Sequence, residues 1–219
     1  MGITMERGSM GQFGIEESQN AKNSVGQYPY DGEVSELGDK EREVIRFAIG
    51  ECSLGVLLVA ATGKGVCLIS FHDNSEELIQ DVEKRFASKT LVLENEELNP
   101  LIAQVLELIE HPGMGASFPL DAQGSAFQNR VWKALNEIPP GKTMSYSEIA
   151  RSIGAPNSSR AVAHACAANP LAVAIPCHRA LRSDGGLAGY RWGIERKRTL
   201  LDREKGYRPK INSSEVPEF

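Results

Sequence analysis

Apolar patterning begins at Val44. Residues 44–49, 54–60 and 66–71 are short apolar runs, and the turn sequence Thr62-Gly63-Lys64-Gly65 separates the last two. Runs of this length bounded by glycine turns predict strands, and their close succession predicts an antiparallel meander. Asn74 and Glu77 have the form of a helix N-cap and its partner. Leu78, Val82 and Phe86 recur on one helical face, which predicts a helix over about 75–86. A short strand at 91–93 and a helix from about Pro100 to Ile109 follow. The linker His111-Pro112-Gly113-Met114-Gly115 then leads to Phe118-Pro119-Leu120.

Beyond Gly124 the period becomes helical. Ser125 can cap a helix with Phe127, Val131, Leu135 and Ile138 on one face, and Pro139-Pro140-Gly141 stops it. Ser145-Tyr146-Ser147-Glu148 reads as a capping box that opens a short helix ending at Gly154. After Ala155-Pro156-Asn157 a second helix starts near Ser158. Two short helices about a Gly/Pro turn are the sequence form of a helix-turn-helix. The second helix follows Arg160 with Ala161, Ala163, Ala165 and Ala167. Small side chains let its backbone come close to whatever it faces, whether DNA or another helix. The apolar run 171–175 predicts a buried strand, and Pro176 ends it just before Cys177-His178-Arg179. Cysteine is a strong nucleophile once it is a thiolate, and a neighbouring imidazole is the usual route to that state at neutral pH. The pattern divides the chain into a disordered tail or leader at 1–42, an α/β domain at 43–123, a helical domain at 124–206 and a tail at 207–219.

Composition adds class and charge. A chain of 219 residues, 41% hydrophobic and 24% charged, is long enough for one or two soluble globular domains. No apolar run has the length of a membrane span, and residues 1–39 lack a signal-peptide core. The net charge of −5 is unevenly spread. Residues 125–210 hold 15 Lys and Arg against 6 Asp and Glu, while the remainder holds 9 against 23. A basic C-terminal half suggests a polyanionic partner; solvated helix faces are the plain alternative. Cys52, Cys67, Cys166 and Cys177 are scattered, with no CxxC pair, so reduced thiols in a cytoplasmic protein are the simplest reading and no metal site is expected. Gly141-Lys142-Thr143 imitates the end of a phosphate-binding loop, but the required glycine falls at Asn136, and Pro139 and Pro140 lack N–H donors. No G-x-G-x-x-G opens a helix, so no cofactor is expected.

These residues resemble a known family. Phe127-Gln128-Asn129-Arg130-Val131-Trp132, Ser145-Tyr146, Arg160-Ala161-Val162-Ala163, Ala167-Ala168-Asn169-Pro170, Ile175-Pro176-Cys177-His178-Arg179 and Gly189-Tyr190-Arg191-Trp192-Gly193 match, in order, the O6-alkylguanine-DNA alkyltransferases. The likeness covers about residues 43–205 and is strongest to the C-terminal half of bacterial Ada proteins. It implies an RNase H-like α/β domain followed by a mostly helical, winged-helix-like DNA-binding domain. It also implies single-turnover transfer of an alkyl group from O6-alkylguanine, and from O4-alkylthymine, to Cys177. The partner implied is double-stranded DNA bound through its minor groove by a monomer with no membrane contact, cytoplasmic or nucleoid-associated in a bacterium.

The resemblance also carries residue roles. His178 matches the base, through a bridging water, and Glu204 the carboxylate that orients it. Asn169 matches the side chain holding the turn before the cysteine. Arg160 matches the arginine that fills the space left by the flipped base, Tyr146 the tyrosine that helps rotate the phosphate, and Tyr190 a donor near the guanine oxygen. Ser158 and Ala161 belong to the same DNA-facing helix. Each has a plain alternative: a solvated glutamate, a helix cap, a surface ion pair or core-edge packing.

Two departures stand out. Ala180 replaces a bulky residue after Cys-His-Arg, which predicts a smaller pocket wall and tolerance of larger alkyl groups. Full Ada proteins carry a four-cysteine zinc module, and the spacing of Cys52 and Cys67 does not match one, which predicts repair without that module or its regulatory switch. Two other classes fit parts of the pattern. A DNA-binding regulator would not need Cys177. A Cys–His hydrolase would turn over repeatedly and need no basic surface.

Overall fold

The computed structural model describes residues 43–111 and 115–206; the tails expected at 1–42 and 207–219 and part of the linker lie outside them. The three apolar runs form β1 (Val44–Cys52), β2 (Gly55–Thr62) and β3 (Gly65–His72), paired antiparallel as the meander pattern predicts. β4 (Thr90–Leu93) adds parallel to β1, so the sheet order is β3-β2-β1-β4. β2 is apolar on both faces. Leu57 and Val59 enter one core, Leu58 and Ala60 a second. A strand of this kind needs cover on both sides.

α1 (Ser75–Arg85) covers one face with Leu78 and Val82, and Asn74 caps it by accepting from the Glu77 N–H at 2.9 Å. α2 (Asn95–Glu110) is buried through Leu98, Ile102, Val105, Leu108 and Ile109 and packs on β1. It begins more than a turn before Pro100, the expected start. Burial of Leu98 draws that turn into the helix, and Glu96 and Glu97 suit its positive end. Pro100 faces solvent, so the missing N–H costs a single exposed bond.

The second half folds into α3 (Ala126–Asn136), α4 (Tyr146–Ser152), α5 (Ser159–Ala167) and α6 (Ile194–Glu204). Both predicted caps form, Ser125 with Gln128 and Ser145 with Glu148. Gly154 takes a φ of +72° between α4 and α5. β5 (Met144–Ser145) and β6 (Ala180–Leu181) pair in parallel. At two residues each they are too short to leave a period in the sequence.

One expectation fails. Residues 171–175 are buried but are not a strand. They fold back in tight turns, with Ala174 N–H on the Ala172 carbonyl, Ile175 N–H on the Leu171 carbonyl, and Val173 at φ +64°. Their extended contact is limited to a bridge from Leu171 to Ile69 on the outer edge of β3. Hydropathy registered the burial; the bends come from a side chain outside the run, described below. The larger core continues from Leu57 and Phe71 in the sheet through Val131 and Leu135 to Leu171 and Ile175. Among the described residues no helix is long and apolar enough to cross a membrane.

Candidate functional site

The turn after α5 is built by Asn169, which is fully buried. Its Nδ2 donates to the carbonyls of Leu171 (3.3 Å) and Ile175 (2.9 Å) and to Cys177 Sγ (3.2 Å), and its Oδ1 accepts from the Leu171 N–H (2.9 Å). One amide therefore satisfies the backbone that an extended strand would have paired, and places the sulfur. Cys177–Arg179 form a single 3-10 turn, so Cys177 and His178 do not alternate across a strand.

His178 and Glu204 are both buried, with Nε2 2.7 Å from Oε1. Arg179 donates its Nε to both carboxylate oxygens (3.1 Å each) and its Nη1 to the Ile138 carbonyl, and the Gly141 N–H donates to Oε2 (3.2 Å). Burial pushes the Glu204 carboxyl up, but the His178 and Arg179 bonds outweigh it and hold it below its usual 4.5. An ionised carboxylate only accepts, so the ring proton of His178 sits on Nε2. Burial keeps the imidazole below its ordinary 6.5 against the pull of Glu204. Its Nδ1 is buried without a hydrogen-bond partner among the described residues, leaving a lone pair next in the chain to the cysteine.

Burial pushes the Cys177 thiol up to about 11, while the Asn169 bond and the charges of Lys197 and Arg191 pull the other way. The resting sulfur is therefore protonated at neutral pH, and a base must take its proton before it can attack. Lys197 is fully buried, with Nζ 2.6 Å from the Ala180 carbonyl. Burial lowers its pKa, and the thiols of Cys177 and Cys166 act against that.

The sulfur opens on a cleft of about 440 Å³. One wall is α5, through Ala163, His164, Cys166 and Ala167; Tyr146 and the 188–191 loop complete it. Tyr190 stacks edge-on against Trp192, with ring centroids 5.1 Å apart, and its buried hydroxyl has no partner among the described residues. Arg160 and Ala161 are exposed on α5, and Ser158 is its N-cap residue with no side-chain capping bond. Arg160, Tyr146 and Ser159 line an adjoining groove with Arg182 and Ser183.

Residues 126–206 match the 6-O-methylguanine DNA methyltransferase DNA-binding domain. The inducible methylated-DNA–protein-cysteine methyltransferase of Bacillus subtilis is 40% identical over 148 residues, which span 67% of this chain and 83% of that protein. The chain belongs to this methyltransferase family. The bifunctional transcriptional activator and DNA repair enzyme Ada of Escherichia coli is 42% identical over 164 residues, 75% of this chain but 46% of Ada. The chain thus spans just under half the length of Ada. A crystal structure of Mycobacterium tuberculosis OGT in complex with DNA superposes with a TM-score of 0.63 at 33% identity, covering 73% of this chain and 92% of that one.

Within this family member the structure brings Cys177, His178, Glu204 and Asn169 into one buried cluster and sets Tyr146 and Tyr190 at the cleft. Arg160 lies in the neighbouring groove, outside the cleft itself. Ala180 does not form the pocket wall expected of it. It is fully buried, and the cleft lining passes instead through the small residues of α5 and the 188–189 stretch. Sequence reading missed Lys197, Arg179 and Gly141. Lys197 had a legible signal: with Leu200 and Glu204 it recurs at i, i+3 and i+7 on the buried face of α6, where a lysine needs a reason. Gly141, read only as a helix stop, takes φ +75°, and a Cβ there would lie 2.8 Å from the Glu204 carbonyl oxygen.

Proposed function

We propose that this protein repairs alkylated DNA directly, moving the alkyl group from O6 of guanine, or O4 of thymine, to Cys177. The observation that carries the reading is that the cysteine beside the His178–Glu204 pair opens on a cleft walled by α5. His178 Nδ1 takes the thiol proton, directly or through one water, and Glu204 stabilises the imidazolium that forms. The thiolate attacks the alkyl carbon, the carbon–oxygen bond breaks, and Tyr190 donates to the oxygen as charge develops there. The product is a thioether, and no neighbouring group among the described residues offers a route back to the thiol. One molecule then repairs one base.

The base must leave the stack to reach a sulfur buried this deeply. The small residues of α5 support close approach to the minor groove, with Arg160 entering the duplex, Ser158 and Ala161 against the backbone and Tyr146 at the rotated phosphate. On this reading residues 43–123 are an RNase H-like support, residues 124–206 a winged-helix-like reader with β5 and β6 as its small sheet, and the working unit is a monomer in the bacterial cytoplasm or nucleoid. Titrating a duplex that carries one O6-methylguanine tests the reaction. Lesions should disappear in a one-to-one ratio with protein, and Cys177→Ser should remove none. Several lesions lost per protein would overturn it.

A further inference from the structure

Arg85 and Arg191 form a basic pair that the reaction above does not use. Arg85 is exposed on the last turn of α1, and Arg191 is exposed in the loop that lines the cleft. Neither side chain makes a hydrogen bond among the described residues. They share one carboxylate: Asp81 lies a turn before Arg85 on α1 and 3.8 Å from the Arg191 guanidinium. Partial burial, and then the Arg191 charge, lower the pKa of Arg85, with Cys67 and Asp81 acting against them, so the two cations are near enough to repel each other. Each guanidinium stands 6.0 Å from an aromatic ring centroid, Arg85 at Phe86 and Arg191 at Trp192. Such packing orients the planar group and leaves its N–H donors free. Outside residues 125–210 the chain holds 9 Lys and Arg against 23 Asp and Glu, so positive charge on α1 runs against its background.

We infer that Arg85 and Arg191 together receive a backbone phosphate of the DNA, so that the sheet domain, through α1, grips the duplex across the cleft from α5. The inference rests on the reading of α5 as the DNA-facing helix and adds a second point of contact on the other side of the sulfur. Two like charges held side by side around a single carboxylate repel each other, and nothing in the fold relieves that repulsion. An incoming anion does. A phosphodiester carries one negative charge, and its oxygens match the guanidinium fork in paired, charge-assisted bonds. Position selects the DNA backbone as the source of that phosphate. Arg191 lines the same cleft as Ala163, His164 and Ala167 of α5, so a strand that delivers a base to Cys177 passes its flanking phosphates over the rim where Arg191 stands. A contact of this kind positions the strand and carries no sequence information. Held from both sides of the cleft, the strand cannot slide while one nucleotide is turned out.

The salt dependence of duplex binding counts phosphate contacts, because each neutralised phosphate releases condensed counterions. Affinity is measured by fluorescence anisotropy from roughly 50 to 200 mM salt, on an undamaged duplex and on the same duplex with one O6-methylguanine. The proteins are the wild type, Arg85→Gln, Arg191→Gln, the double variant, Asp81→Asn and Lys84→Gln. Lys84→Gln removes the same charge from the neighbouring position of α1, outside the pair. The double variant should make the slope of log affinity against log salt shallower by about 0.9, the share of one phosphate. Each single variant should give part of that change, with an equal loss of affinity on both duplexes. Asp81→Asn, which removes the competing carboxylate, should tighten binding, and Lys84→Gln should leave the slope where it was. An unchanged slope in the double variant, the same change in Lys84→Gln, or a loss confined to the damaged duplex would overturn the inference. A wild type that binds neither duplex would instead overturn the reading of α5 on which it rests.

Discussion

Lys197 holds its amine in a core position, donating to the Ala180 carbonyl. Its charge pulls the Cys177 thiol down against the effect of burial, which favours the thiolate that attacks. Lys197→Met should slow methyl transfer at pH 7 by about tenfold and raise the pH at which the thiol titrates by about one unit, read from its alkylation rate. An unchanged titration would mean that Lys197 only fills space. The same residue marks the limit of sequence reading at this scale. Cys177 and His178 were legible because their chemistry is distinctive in order and type, and Glu204 only through the family resemblance. Arg179 and Gly141 act through where the fold puts them, and an arginine and a turn glycine are ordinary in any window of sequence; Lys197 shows only through its place on the buried face of α6.

The turn from Asn169 to Cys177 shows what hydropathy can and cannot encode. Five apolar residues marked a buried segment, and burial was the outcome; the path was set by one amide at Asn169. Asn169→Ala leaves the buried Leu171 N–H and the Ile175 carbonyl without the bonds that amide makes. It should cost about 2–4 kcal/mol in urea unfolding and should also slow transfer by misplacing Sγ. Helices α3 and α4 were readable because their caps are local, Ser125 with Gln128 and Ser145 with Glu148. β5 and β6 were not, because each consists of two residues paired across more than thirty positions. In α5, Arg160→Ala should weaken transfer from duplex far more than transfer to the same cysteine from free O6-benzylguanine. Equal losses would place the arginine in the chemistry rather than in the DNA.

The sheet and the helical half share one core, and polar clamps cross the same seam. Trp192 donates Nε1–H to Ser70 Oγ at 3.0 Å, and Arg196 donates to the Leu54 carbonyl (2.6 Å) and to Asp73. The edge of β3 also carries the cysteine turn, with the Ile69 N–H on the Pro170 carbonyl and the Ala172 N–H on the Ile69 carbonyl. Residues 124–206 expressed alone should therefore lose the cooperative unfolding of the whole chain and exchange their amides fast. The buried His178–Glu204 pair also sets a pH limit. The folded pKa values of His178 and Glu204 both lie below their unfolded values of 6.5 and 4.5, so the unfolded chain binds the extra protons. The melting temperature should fall as pH drops below about 6.5 and again below about 4.5, and Glu204→Gln should flatten the lower step. The central claim is that a single sulfur receives and keeps the alkyl group. Intact-protein and peptide mass after incubation with excess duplex containing O6-methylguanine tests it. The account expects one added methyl group, on Cys177, saturating at one per chain. Lesion loss with an unmodified Cys177, or a methyl group on any other residue, would contradict it.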